Sequence, residues 1–350
     1  LKKIGFFGKL IFWLNSVAAF LLVLSFVLPY VPPKSYPNLS LLSLAVSPLL
    51  VINALFAVYW LVRMRRQMLL SILVLAIAYF HFNEFVQFSS EGDASEYEQS
   101  LKLLSYNVRL FNAYEKDGDN SEASNKVAST VASILKEEDP DVLCIQEYYR
   151  KETVDFSAYP YKYIHFKDDK TKLGHAIFSK YPMARQGAFN FDGTYNNALY
   201  VDIVKGADTI RIYNLHLQSL GIQPQVSYLQ EGNKDRLRQR ISYAFSKQQD
   251  QLSEILKHAK QSKYPVIFAG DFNNTPFSYN YKTIQETYSD AFLERGNGIG
   301  TTFLFDSYPM RIDFIFTDPD FNVIDFETIQ NSFSDHYPIS ATVGWIEKDE

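Results

Sequence analysis

The chain has 350 residues, 47% of them hydrophobic and 21% charged, with 34 basic against 39 acidic side chains and a net charge of −5. An aromatic share of 16% excludes wholesale disorder, and a single cysteine, Cys144, excludes a disulfide scaffold. The average conceals two unlike parts. Residues 1–90 carry seven Lys or Arg and one acid, Glu84, which leaves 27 basic and 38 acidic residues beyond them. An acidic second part argues against tight nucleic-acid binding driven by charge alone.

Residues 10–31 and 41–62 are uncharged apolar runs, each long enough for a bilayer, which needs about 20 apolar residues. A third run, 67–82, is shorter, with Phe85 and Phe88 as an extension. A cleaved leader is the competing reading of the first run, but its length and the two runs after it favour an anchor. Lys2, Lys3 and Lys9 precede the first run and Arg63, Arg65 and Arg66 follow the second, whereas 32–40 holds only Lys34 and 83–100 no basic residue. With three spans this alternation predicts an integral protein of a bacterial-type inner membrane, its soluble part on the non-cytoplasmic side. If the third run lies at the interface instead, the soluble part is cytoplasmic. The expected organisation is an anchor over 1–88, a polar linker over 89–100 and a soluble domain over 101–346.

In the soluble part LKLLSYNV (101–108) reads as a strand, and Val127, Val131, Ile134 and Leu135 fall at helical spacing before Pro140. DVLCIQE (141–147) suits a buried strand. Further strands are expected at 161–167, 174–179, 185–191, 198–204 and 208–215. A polar helix over about 234–262 follows, then strands at 264–270, 311–318, 321–329 and 338–345. Many strands with few helices between them imply two packed sheets with helices outside, an α/β sandwich.

Polar residues gather at the strand ends: Asn107, Glu147, Asn214, His216, Asp271 and Asn273, then Asp313 inside RIDFIF and Asp335–His336 before PISATV. Each alone has an ordinary explanation as a turn, cap or solvated end. Asp313 is the hardest to explain so, since an unpaired carboxylate in an apolar run costs several kcal/mol. Four carboxylates, two histidines and two or three amides together suit a hard cation and a phosphate ester, with oxygen ligands selecting Mg²⁺ or Mn²⁺.

The segments SYNVRLFN, DVLCIQE, NLHLQS, GDFNNTP, RIDFIF and SDHYP, in that order, resemble the endonuclease/exonuclease/phosphatase superfamily over about 101–345. The resemblance implies a four-layer α/β sandwich, two mixed sheets flanked by helices, and Mg²⁺-dependent cleavage of phosphate esters. It casts Glu147 as the principal metal ligand with Asn107 and Asp335, and Asp271 as the group that activates water. Asn273 would hold the phosphate, and His336 a non-bridging oxygen, with Asp313 fixing its tautomer. His216 would contact the phosphate or protonate the leaving oxygen, with Asn214 nearby as a substrate contact. Arg109 stands where abasic-site endonucleases of this superfamily have an acid, and is read as a phosphate contact or a surface ion pair. His216 replaces the Tyr of those enzymes, which draws the likeness toward the deoxyribonuclease I and sphingomyelinase branches. The expected partners are the bilayer and a phosphate-ester substrate, nucleic acid or phospholipid head group; no protein partner is inferable. The competing function is a non-catalytic binding protein on the same fold.

Overall fold

The structure, a computed structural model, describes residues 5–81, 86–113, 121–150, 154–223, 225, 227–228 and 232–346. Lys2, Lys3, Glu84 and Phe85, which the charge and span readings use, lie outside the described residues.

Three apolar helices come first: α1 (Phe6–Ser25), α2 (Val46–Val62) and α3 (Met68–His81). Counted with their flanking turns, Phe6–Tyr30 and Pro37–Val62 are long and apolar enough to cross a membrane, and Met68–His81 is shorter. Ala18, Ala19 and Leu22 of α1 pack with Leu49 of α2 and with Val74 and Ala78 of α3. A buried polar node ties the three together. Asn15 Nδ2 donates to Ser71 Oγ at 2.7 Å, and Asn15 Oδ1 accepts from Trp60 Nε1 at 3.0 Å. The outward faces leave Phe20, Leu55, Val58, Leu73 and Ile77 exposed. That node and the 2.8 Å contact of the His81 ring with Phe26 O make the helices antiparallel in succession. The end of α1, the start of α2 and the end of α3 therefore share one end of the bundle.

The soluble part is built on strands β1 (Gln99–Asn107), β2 (Val142–Tyr149), β3 (Tyr161–Phe166), β4 (Leu173–Ser179), β5 (Met183–Asn190), β6 (Asn197–Lys205) and β7 (Asp208–His216). After these come β8 (Val266–Asp271), β9 (Ser289–Asp290), β10 (Phe303–Phe305), β11 (Tyr308–Met310), β12 (Asp313–Thr317), β13 (Asn322–Thr328) and β14 (Ile339–Trp345). One six-stranded sheet has the order β13-β14-β1-β2-β4-β3 and the other β9-β12-β8-β7-β6-β5. Both are mixed, with parallel pairs β1–β2 and β7–β8.

Side chains alternate across a strand, and each sheet uses both faces. Leu101 and Leu103 of β1 and Val142 and Cys144 of β2 meet Ile210 and Ile212 of β7 and Ile267 and Ala269 of β8 between the sheets. The intervening Leu104, Tyr106, Leu143 and Ile145 face out under helix α4 (Ser121–Glu138), which buries Val127, Val131 and Ile134 on them. On the other sheet, helix α5 (Lys234–Ala259) lays Leu252, Ile255 and Ala259 over Tyr213, Leu215, Val266 and Phe268. Helix, sheet, sheet, helix is the four-layer sandwich the sequence implied. Asp139 at φ 45° ends α4 ahead of Pro140, and the Asn233 side chain caps α5 by accepting from the Asp235 and Arg236 amides.

Two pieces differ from the sequence reading. The short helix Tyr279–Gln285 and the β10–β11 hairpin were not anticipated, because neither is long enough to show a period. Residues 89–100, expected as a linker, lie against the domain and their last two belong to β1: Gly92 N donates to Ile324 O at 2.7 Å and Arg295 Nη1 to Ser90 O at 3.2 Å.

Candidate active site

Topology gathers the polar strand ends. The parallel pair β1–β2 brings Asn107 and Glu147 to one edge of the first sheet, and β7–β8 sets His216 in register with Asp271 at the facing edge of the second. The antiparallel neighbours begin where these end. Asp313 opens β12 opposite Asp271, and His336 lies in the loop just before β14. Strand parity then directs the side chains. Asn107, His216, Asp271 and Asp313 continue the inward-facing sets of β1, β7, β8 and β12, so they point into the seam between the sheets above the apolar core.

Two backbone features complete the arrangement. Glu147 would face outward by parity, but the β2–β4 register shifts between Ile145 and Tyr148 and Glu147 takes φ 55°. This bulge turns its carboxylate toward the seam, as bulges beside active sites do. Gly270 has φ 138°, and a Cβ there would lie 2.0 Å from Leu215 O, so only glycine lets β8 approach β7 just before Asp271.

Asp271, 1% exposed, accepts from Asn107 Nδ2 at 3.0 Å, Asn273 Nδ2 at 3.1 Å and the Asn273 backbone amide at 2.8 Å. His336 Nδ1 lies 2.9 Å from Asp313 Oδ2, and its Nε2 lies 3.8 Å from Asp271 Oδ2. His216 Nε2 is 3.6 Å from Asp271 Oδ2 and 3.8 Å from Glu147 Oε1. Burial, reinforced by Asp313 and opposed by His336, raises Asp271 to about 7. Burial by itself would keep His336 neutral, but Asp313 and Asp271 outweigh it and hold the imidazolium to about 10. Burial and the nearby His336 lower His216 to about 3. Burial also raises the Glu147 carboxyl above its usual value. Asp335 and Arg109 face each other at the rim, Arg109 Nε lying 3.8 Å from Asp335 Oδ2.

These groups floor a cavity of about 720 Å³ that Asn107, Arg109, Glu147, His216, Asp271, Asn273, Asp335 and His336 all line. Asp313 lies behind His336 and reaches the cavity only through it. Asp271, Asp313 and His336 offer ligand atoms within 4.8 Å of one another, spaced to hold a metal ion.

Two expectations need correction. Asn214 is not among the residues lining the cavity. It is fully buried two residues below His216, its Nδ2 donating to Ile145 O and Ala176 O, both at 2.9 Å, and its Oδ1 accepting from Gln146 Nε2 at 2.7 Å. Every polar atom of its amide is committed to the opposite sheet, so it clips the two sheets together and offers none to the cavity. Asn273 gives its two amide hydrogens to Leu217 O at 3.0 Å and to Asp271 Oδ2, which positions Asp271 and leaves none for a phosphate. The sequence reading also passed over His175, fully buried, whose Nε2 lies 3.1 Å from His216 Nδ1. The signal was present: His175 sits at an inward position of an apolar strand, where a polar ring needs a partner.

The endonuclease/exonuclease/phosphatase family matches residues 104–336, and a domain of unknown function matches 8–85. No curated protein matches the chain. Among solved structures, an endonuclease/exonuclease/phosphatase from Bacteroides vulgatus is 19% identical, covers 71% of this chain and 100% of its own, and superposes with a TM-score of 0.54. The human nocturnin catalytic domain with a bound sulfate anion is 16% identical, with 70% and 94% covered and a TM-score of 0.51. D. rerio TDP2 complexed with a single strand DNA product is 17% identical, with 71% and 100% covered and a TM-score of 0.51. At these identities the structural likeness is one of fold, and the match over 104–336 is what identifies the family. The chain belongs to the endonuclease/exonuclease/phosphatase family, enzymes that hydrolyse phosphate esters with the help of a divalent metal.

Proposed function

We propose that the chain is a membrane-anchored, Mg²⁺-dependent phosphodiesterase whose active site faces the non-cytoplasmic side. The observation that carries the chemistry is the row Asp313–His336–Asp271 set beside Glu147 and Asn107 at the seam of the two sheets. Four carboxylates converge there, and two of them are raised by burial, so the site is rich in oxygen donors and short of positive charge. That donor set fits a hard divalent cation. Glu147, with Asn107 and Asp335, would hold it. The trio of Asp271, Asp313 and His336 is also spaced for a cation, but His336 Nδ1 is already engaged by Asp313, which favours proton handling for these three. When bound, the metal neutralises charge developing on the phosphoryl oxygens.

The chain's own residues supply the rest. Asp271, oriented by Asn107 and Asn273, takes the proton of the attacking water. His336, held by Asp313, faces a non-bridging oxygen with its Nε2, and His216 faces the phosphate from the other side of Asp271. Among the described residues lining the cavity, Arg109 is the only Lys or Arg. The exposed run Lys234, Arg236, Arg238 and Arg240 lies outside that lining.

Contacts between the parts support the orientation. The segment joining α1 to α2 touches the soluble domain: Lys34 Nζ pairs with Asp250 at 2.9 Å, Ser242 Oγ bonds Asn38 Oδ1 at 3.1 Å, and Thr275 Oγ1 donates to Ser43 O at 3.1 Å. On this reading that segment and the domain share one side of the membrane, and α3 crosses as well. Its 14 residues span about 21 Å at 1.5 Å per residue, short of a typical hydrocarbon core of about 30 Å, so local thinning accompanies it. Arg63, Arg65 and Arg66 fall at the opposite end of the bundle, the cytoplasmic end by the charge rule.

The test uses the full chain in detergent with a p-nitrophenyl phosphodiester, with and without Mg²⁺. Turnover that EDTA abolishes and Mg²⁺ restores, and that Glu147→Gln and Asp271→Ala both lose while still folded, is the expected result. Metal-independent turnover, or undiminished turnover by Glu147→Gln, would overturn the assignment.

A further inference from the structure

The active-site cavity is not made by the soluble domain alone. Leu44, in the turn before α2, and Pro48, in its first turn, line it together with Glu147, Asp271 and His336. Pro48 is the third residue of a helix read as crossing the bilayer, so this lip stands at the membrane surface. It is fastened there by the Thr275–Ser43 hydrogen bond, by a hydrogen bond of Tyr308 to Ser47, and by Phe277, which packs among the helices of the bundle.

The wall facing inward from that lip is apolar. Phe303 and Phe305 of β10 and Met310 of β11 line it, all half-buried, and Ile241 of α5 lines it with them. Phe303 reaches the floor, its ring 4.9 Å from the His336 ring, and its backbone forms a bridge with that residue. Charged groups therefore gather around Asp271 and His336, and the rest of the lining is mostly hydrocarbon, with Ser219, Gln223 and Tyr308 among it. A polynucleotide would need cations along that wall to pair its phosphates; among the described residues the lining has Arg109 alone as a Lys or Arg, at the rim.

We infer that the anchor forms part of the substrate site and that the substrate is a membrane amphiphile, a phosphodiester carrying an alkyl chain that lies between the β10–β11 hairpin and the Leu44–Pro48 lip. The inference rests on the phosphodiesterase reading for the chemistry at the floor, and on the cavity's construction for the chain. Water displaced from that wall by the alkyl chain supplies the selectivity. Continuity with α2 gives a lipid a route from the bilayer to the floor that keeps its chain against apolar surface.

The experiment is a chain-length series on the full protein in detergent: methyl, butyl, hexyl and octyl p-nitrophenyl phosphates, each below its micellar concentration. The quantity read is the slope of log kcat/KM against carbon number. Complete burial of each methylene would raise kcat/KM by about fourfold, so a rise of about twofold or more per carbon is expected. Phe305→Ser and Leu44→Asp should flatten the slope, and a slope within one variant does not depend on how much of it is folded. A second measurement does not need turnover: a cysteine introduced by Met310→Cys should be protected from maleimide by octyl phosphate and not by inorganic phosphate. A flat series in the wild type, with the methyl ester cleaved in a metal-dependent way, overturns the inference and leaves the phosphodiesterase. Protection by octyl phosphate without cleavage of any ester supports the amphiphile site and removes the phosphodiesterase reading. Equal labelling with and without octyl phosphate overturns the inference.

Discussion

Replacing Asn214 distinguishes a substrate contact from a clip between sheets. Asn214→Ala removes three hydrogen bonds across the seam, to Ile145 O, Ala176 O and Gln146 Nε2, each worth about 1 kcal/mol net. It also leaves a small void in a fully buried position, for a total of about 3–4 kcal/mol. In a domain of this size about 1 kcal/mol moves Tm by about 2–4 °C, so Tm should fall by about 6–16 °C. Thermal unfolding of the full chain in detergent, followed by near-ultraviolet circular dichroism, measures it. Below the lowered Tm, KM should stay within about twofold of the wild type, since no atom of Asn214 faces the cavity. A double variant gives a sharper reading. Asn214→Leu with Gln146→Leu removes both partners of the 2.7 Å bond, and should cost at least about 1 kcal/mol less than the sum of the single changes. A Tm within 2 °C of the wild type together with a tenfold or larger rise in KM would refute the clip, where about 2 °C is the shift of a surface change.

Three further outcomes are expected. His336→Ala and Asp313→Ala should each lower kcat by about 10²-fold or more, and the double variant should be no worse than His336→Ala, because Asp313 reaches the cavity only through His336; multiplying losses would break the pairing. His175→Leu removes the partner of His216 Nδ1 and should lower kcat about tenfold with KM little changed, while His175→Gln, which keeps a donor, should recover most of it; full activity in the leucine variant would show that His175 only fills space. For the orientation, a cysteine introduced by Ser95→Cys, an exposed site, should label from outside intact cells against the silent background of buried Cys144; labelling only after permeabilisation would place the domain in the cytoplasm.

Much of the fold was legible because its signals are local. Short apolar runs located the strands of both sheets except the two-residue β9, including β7 at 208–216 and β8 at 266–271, to within two residues at each end. The helix over 234–259 was legible as a long polar stretch, and ended three residues sooner than expected. What escaped was too short to carry a period, as in the β10–β11 hairpin, yet that hairpin forms the wall above His336.

At the site, the sequence by itself determined which residues stand at strand ends, and for β1, β7 and β8 it determined which face they share, because side-chain alternation is set by backbone geometry alone. It could not determine depth. Asn214 and His216 share a face two residues apart, yet one is locked to the far sheet and the other opens to the cavity. That difference depends on how far each strand end rises above the opposite sheet, which is set by packing between residues distant in the chain. Nor does a glutamate announce a left-handed backbone: the bulge that turns Glu147 toward Asn107 exists because β4 pairs with β2 out of step. The apolar N-terminal helices show the same division. Run length and the Arg cluster made them candidates for a membrane segment, but only the docking of Ser43 and Lys34 on the domain sets Leu44 and Pro48 beside the cavity. Local chemistry chooses the element and its faces; long-range contact chooses which of its atoms meet.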